Sequence, residues 1–248
     1  MKQYSVIIPT LNEELFIHTT LTCLSQQTLK PTQVIVIDGS STDRTLKIIS
    51  QFKNKLPLEV TVTERGVGKQ RSIGGTAARG SVLIFFDADV QFRPDFIEKS
   101  LSEYTKRHLS SACPWYTPDT KSPLTWLIYI VFNGIFWAGQ RTFPAGAGSC
   151  MFVDKKIFKK IGGFNHRLLT DDLDFINRAG KAGIFGQLHT QVTVSDRRFR
   201  KYGILPTLQQ YLHISYYFMK QQLHKCNTLQ YTFGDYAAKK SLTRSRTK

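Results

Sequence analysis

The chain has 248 residues, enough for one α/β domain with a real core and a short C-terminal appendage. Its 41% hydrophobic and 21% charged residues are ordinary for a folded, soluble protein, but 34 basic against 18 acidic side chains give a net charge of +16. That excess implies attraction to polyanions: nucleic acid, anionic lipid headgroups or phosphorylated substrates. Cys23, Cys113, Cys150 and Cys226 lie far apart, with no Cys-x-x-Cys pair and no His spacing suited to zinc, which disfavours both a disulfide framework and structural zinc.

The first half alternates short β-branched runs with helical patterns. Strands are expected at residues 5–8, 33–37, 58–63 and 82–86, and helices at about 13–27, 43–52, 69–78 and 94–107. Repeated β-α units predict a mainly parallel sheet with right-handed crossovers. No leader precedes the first strand, so a cytoplasmic location is expected. The second half is less regular: a strand near 110–116, a long uncharged segment, Gly146 to Ser149, and a strand through Val153. Helices are expected at about 154–161 and 171–182, then a strand near 191–195 and a last amphipathic helix at about 205–223. Leu205, Leu208, Leu212, Tyr216 and Met219 share one face of that helix, which predicts core packing ahead of a docking face. The expected divisions are 1–203 for the α/β domain, 204–238 for a helical appendage and 239–248 for a basic, disordered tail.

Each strand of the first half ends in polar residues suited to a ligand. After the first come Pro9, Thr10, Asn12 and Glu14; Pro9 is expected to end the ladder and Asn12 to cap the next helix, whose N-terminus suits an anion. After the second, Asp38 is placed to accept hydrogen bonds from a nucleobase, while Ser41, Thr42 and Asp43 are read as helix caps. The glycine-rich stretch with Gly66, Gly68, Lys69 and Arg71 permits close backbone approach and supplies charge for a base or diphosphate. After the fourth, Asp87-Ala88-Asp89 follows an apolar run of five residues. Two carboxylates one residue apart, at the mouth of an α/β crevice, can address one hard divalent cation whose other oxygens come from a diphosphate. The plainer alternative for Asp-x-Asp is a turn or a helix cap. Asp171, Asp172 and Asp174 open a helix, where acids favour the dipole; one of them is equally a general base if the fold returns it to the metal site.

In this order these segments closely resemble family 2 glycosyltransferases, inverting nucleotide-sugar enzymes with the GT-A fold. The matching stretches are residues 5–14, 36–45, 77–89 and 162–165 with Asp171 and Asp172, and the likeness runs over roughly residues 4–200. It implies a mainly parallel α/β sheet with helices on both faces and a catalytic domain over residues 1–203. It also implies a donor cradle at Pro9, Thr10, Asn12 and Glu14, a base contact at Asp38, and donor contacts at Gly68 and Arg71. Asp87, Ala88 and Asp89 would take the sugar-diphosphate, with Mg²⁺ or Mn²⁺ on Asp89 and Asp87. Asp172 matches the expected catalytic base; Asp171 stands where the family has Glu, which leaves open which of the two acts. Arg197 and Arg198 could close over the diphosphate or meet a phosphorylated acceptor, against the plain reading of a solvated charge run. Processive relatives carry Gln-x-x-Arg-Trp here; this chain has Ser195, Arg198 and Phe199, so non-processive transfer is implied.

Residues 122–140 carry no charge and are strongly apolar, borderline in length for a bilayer span. A crossing would separate Asp87 and Asp89 from Asp171 and Asp172. The segment is therefore read as a helix lying in the membrane interface beside a lipid-linked acceptor, ahead of a buried core helix. Trp126, Tyr129, Phe136 and Trp137 suit an interface, and the positive charge suits anionic lipid. A metal-dependent nucleotidyltransferase would need a Gly-rich loop with Lys or Arg after the first strand, which is absent. A nucleic-acid-binding module would explain the charge but not the ordered acids, so no nucleic acid is expected as a partner.

Overall fold

The computed structural model describes residues 3–229. The expected tail, 239–248, and the end of the expected appendage lie outside these residues. Seven strands form one sheet in the order β3-β2-β1-β4-β6-β5-β7. They are β1 (Tyr4–Thr10), β2 (Gln33–Asp38), β3 (Leu58–Val62), β4 (Val82–Phe86), β5 (Ser111–Pro118), β6 (Cys150–Asp154) and β7 (Phe185–Val194). β1, β2 and β4 are buried at every position, as parallel strands covered on both faces must be, which explains their continuous apolar runs. β6 runs antiparallel between β4 and β5, while the other neighbours are parallel.

The helices are α1 (Ile17–Ser25), α2 (Thr45–Ser50), α3 (Val67–Ala77), α4 (Phe96–Lys106), α5 (Pro123–Gly139), α6 (Lys155–Lys160), α7 (Asp171–Ala182), α8 (Arg197–Tyr202) and α9 (Ile204–Met219). A 3₁₀ segment, Leu223–Thr228, follows. Phe85 anchors one side of the core against Phe158, Phe164 and Phe175.

Several expectations change. β1 continues through Pro9 to Thr10: its ladder with β4 stops at Ile7, but that with β2 runs on to Thr10 opposite Asp38. Asn12 does not cap a helix. Its φ is +53°, its Oδ1 accepts the Thr42 N–H at 2.9 Å, and α1 starts only at Ile17. β7 begins six residues before the expected strand; a register shift at Cys113/Trp115 of β5 sets one residue of β5 against three of β7 and breaks the alternation. The stripe on α9 faces solvent and not the core, because Gln210, Tyr211 and Ile214 turn to a cavity instead; Leu212 is 69% exposed. Among the described residues no helix is long and apolar enough to cross a membrane.

Candidate active site

The carboxyl ends of β1 and β4 open on a cavity of about 690 Å³, the crevice position expected of an open α/β sheet. Its walls come from Pro9, Thr10 and Leu11 at the end of β1, residues 65–68 with Gln70 and Arg71 at the start of α3, and Asp87, Ala88 and Asp89 after β4. Residues 146–149 before β6 and Asp171 and Asp172 at the start of α7 complete its floor. Tyr129, Phe132 and Phe136 of α5, Arg197 and Arg198 of α8, and Tyr211 of α9 form the rest.

Two guanidiniums organise the acids. Arg71, its side chain 5% exposed, donates from Nη2 to Asp87 Oδ1 at 2.8 Å and from Nη1 to Asp171 Oδ2 at 3.1 Å. Burial opposes the charge of Arg71, but Asp171, Asp87 and Asp172 outweigh it and hold the group protonated. Burial pushes the Asp171 carboxyl above the ordinary range, against the pull of Arg71. Arg71 also lies over the Phe164 ring, 5.6 Å from its centroid. The second guanidinium, Arg197, donates from Nη1 and Nη2 to the two oxygens of Glu13 at 3.1 and 3.3 Å, and its Nε lies 3.3 Å from Asp89 Oδ2. Burial raises Glu13 to about 7 and Asp89 to about 6, in each case against the opposing charge of Arg197.

Asp172 differs from its neighbour. It is half-buried and lines the cavity, with Oδ2 accepting the Gly148 N–H at 2.8 Å and Oδ1 accepting the Leu173 N–H at 2.8 Å. A Cβ on Gly148 would come within 2.7 Å of both Asp172 Oδ2 and Arg71 Nη2, so a larger residue there would displace these two side chains. Gly68 is similarly pressed, with Asp171 Oδ2 at 3.0 Å from where its Cβ would sit.

Of the residues singled out in the sequence, Pro9, Thr10, Gly68, Arg71, Asp87, Ala88, Asp89, Asp171, Asp172, Arg197 and Arg198 meet at this cavity. Lys69 and Asp174 do not line it, pairing instead with Glu64 and Arg178, and neither do three others. Asp38 is fully buried, its carboxylate accepting from Ser41 N (2.7 Å), Ser41 Oγ (2.6 Å) and Thr10 Oγ1 (3.0 Å). Asn12 holds Thr42, and Glu14 accepts from the backbone and side chain of Arg44. These three lash the loop after β1 to the loop after β2. The basic run at 197–201 is not simply solvated: Arg197 is clasped by acids, and the Arg198 guanidinium lies 5.7 Å from the Tyr211 ring centroid. His189 lies off the cavity, its Nδ1 2.8 Å from Glu103 Oε1.

Glu13, Gln70 and Tyr116 were not foreseen. Glu13 was masked by its neighbours Asn12 and Glu14 in an expected helix start. Gln70 donates from one amide nitrogen to the carbonyls of Thr10 and Ile37, pinning α3 across β1 and β2. Tyr116 donates its hydroxyl to the Ala147 carbonyl at 2.8 Å and fixes the 146–149 turn. No sequence pattern marks that pairing across 31 residues.

The described residues hold no group of three His, Cys, Asp or Glu side chains able to bind a metal unaided. The donor set is nevertheless all oxygen, with Asp87 and Asp89 on one short turn, which fits a hard cation completed by substrate oxygens.

Residues 5–162 match the family described as Glycosyl transferase family 2. The poly(ribitol-phosphate) beta-N-acetylglucosaminyltransferase TarS of Staphylococcus aureus is 38% identical over 104 residues, 40% of this chain and 17% of that protein. The amylovoran biosynthesis glycosyltransferase AmsB of Erwinia amylovora is 32% identical over 104 residues, 40% of this chain and 35% of its own. The chain thus spans well under half the length of these relatives. The crystal structure of TarS 1–349 with UDP-GlcNAc superposes with a TM-score of 0.65 at 21% identity, over 79% of this chain and 59% of that one. The mannosyltransferase PcManGT of Pyrobaculum calidifontis, in complex with GDP-Man and Mn²⁺, gives 0.66 at 17% identity, over 88% and 70%. At these identities the superpositions establish the fold, and the sequence match over most of the chain establishes the family: the protein belongs to glycosyl transferase family 2.

Proposed function

We propose that the protein transfers a sugar, with inversion and one residue at a time, from a nucleoside-diphosphate sugar to a lipid-linked or otherwise phosphorylated acceptor of the cell envelope. The observation that carries this is the meeting of Asp87 and Asp171 on Arg71, with Asp89 and Asp172 lining the same cavity. Acids from two distant parts of the chain converge on one cavity, as donor activation and proton removal require. Thr10, Gly68 and the backbone of residues 65–70 take the nucleotide end. Asp38, Asn12 and Glu14 act from behind, by fixing the two loops that form this end.

Asp87 and Asp89 would hold Mg²⁺ or Mn²⁺ against the donor diphosphate; when bound, the cation supplies charge neutralisation to the leaving group. Arg71 holds Asp87 and Asp171 in place and keeps Asp171 as its own counter-ion. That leaves Asp172, oriented by two backbone N–H groups, as the base that takes the acceptor proton. Arg197 can turn from Glu13 and Asp89 toward the diphosphate. The naming of TarS for a poly(ribitol-phosphate) acceptor and of AmsB for amylovoran synthesis supports an envelope acceptor. Aromatic walls on α5 and α9 beside Arg198 support one with an apolar portion and an anionic group. The absence of a Gly-rich loop with Lys or Arg after β1 argues against nucleotidyl transfer.

The test is a thermal-shift and donor-hydrolysis screen of nucleotide sugars with Mn²⁺, with Mg²⁺ and with chelator. One donor should raise the melting temperature and slowly release nucleoside diphosphate only with the metal, and Asp89→Ala should abolish both effects. Folded protein that binds no donor under any of these conditions would overturn the proposal.

A further inference from the structure

Helix α5 is built inside out. Its polar side chains Thr125 and Asn133 are buried, and its solvent side is wholly apolar, with Leu127, Ile130, Val131 and Trp137 each more than half exposed; Ile130 stands at 57%. On a helix in water the pattern is the reverse. Helix α9 packs beside it through Phe132 and Tyr211, ring centroids 5.3 Å apart, and it too turns Leu205, Leu212 and Met219 outward. An apolar face of this extent on a soluble chain marks a contact surface.

Charge identifies the partner. Residues 120–153, which hold α5, contain Lys121 and Arg141 and no acid; residues 197–229, which hold α8 and α9, contain six Lys or Arg and no acid. Lys121 and Arg141 are exposed and flank the two ends of α5, and Lys220 is exposed just past the end of α9. All 18 acidic residues of the chain lie elsewhere. Apolar helices with cations at their ends and no acids match the acyl boundary and phosphates of an anionic bilayer, and Trp126 and Trp137 near the two ends of α5 have the ring type that settles at that depth.

We infer that the outer faces of α5 and α9 seat the protein on the surface of an anionic lipid bilayer, with both helices lying in the interface. The inner faces of the same helices line the cavity, through Phe132 and Phe136 on one and Tyr211 and Ile214 on the other. A seated protein therefore presents its cavity wall beside the lipid. The seat itself does not rest on the transferase reading; only the statement that the cavity draws its acceptor from that lipid does.

Vesicle binding tests the seat without any turnover. The full chain is incubated with phosphatidylcholine vesicles, with or without one third phosphatidylglycerol, and pelleted with the lipid at low and physiological salt. Expected is binding at least tenfold stronger to the anionic vesicles, weakened by salt and reduced tenfold or more in Ile130→Glu and Leu212→Glu. Both substitutions lie on exposed positions, and unchanged melting temperatures would show that the variants fold. The wild-type protein gives a second readout that needs no variant: brominated lipid should quench Trp126 and Trp137, leaving Trp115 on β5 as the residual emission. Equal partition onto both vesicle types, or no quenching, overturns the seat. So does light scattering that shows a dimer broken by Ile130→Glu, which would make the face an interface between copies. Failure here with donor hydrolysis intact would leave the proposed function standing.

Discussion

Two adjacent carboxylates, Asp171 and Asp172, meet different surroundings on the first turn of α7. Asp171 is consumed by Arg71, whereas Asp172 turns its oxygens to the Gly148 and Leu173 N–H groups at the cavity wall. Asp172→Asn should therefore lower kcat about 10²–10⁴-fold with little change in the donor KM, measured under saturating acceptor. Asp171→Asn should act mainly on stability, because it leaves the buried Arg71 short of a counter-ion. Glu13 permits a pH test. Its carboxyl titrates near 7 when folded and near the ordinary 4.5 when unfolded, so the folded state holds more protons between these values. Stability from this group is thus greatest below about pH 4.5 and declines as pH rises toward 7. Glu13→Gln should remove that part of the slope in a comparison of melting temperatures with wild type across pH 5–8. Asp87, Asp89 and the 171–172 pair were legible as acids in the sequence. The division of labour was not, because it depends on Arg71, which is 100 positions from Asp171.

At the scale of elements, the seam between α5 and β5 depends on Asn133. Its Oδ1 accepts the Tyr116 N–H at 3.0 Å and its Nδ2 donates to the Tyr116 carbonyl at 2.8 Å, beside the register shift of β5. Asn133→Ala would orphan two buried backbone groups at about 1–3 kcal/mol each. Chemical denaturation should report a loss of that order, along with loosening of the turn that Tyr116 holds. The β-α units of the first half were readable because buried parallel strands leave continuous apolar runs. β7 was half hidden because three of its residues oppose one of β5 and blur the alternation. The apolar stripe of α9 was read correctly as a stripe and turned the wrong way, since periodicity locates a face without saying what covers it.

For the whole molecule, the sequence carried the sheet's parallel half, the family and eleven of the residues that line the cavity. The placement of β6, antiparallel between β4 and β5, could not be read from it, because strand direction is set by pairing partners and not by local pattern. The +16 charge also proved uneven in a way composition hides. Within the cavity, Glu13, Asp87, Asp89, Asp171 and Asp172 gather around two clasped guanidiniums, Arg71 and Arg197, while Arg65, Arg167, Arg198 and Lys201 line other parts of the wall. Around the turn of Asp87 and Asp89 the acids outnumber the two guanidiniums that clasp them, inside a basic protein. A bare diphosphate would be repelled there, while one already partnered by a divalent ion arrives almost neutral. On the proposed reading, donor and cation enter as a single guest, and donor affinity should climb with free cation concentration until the donor itself is fully complexed.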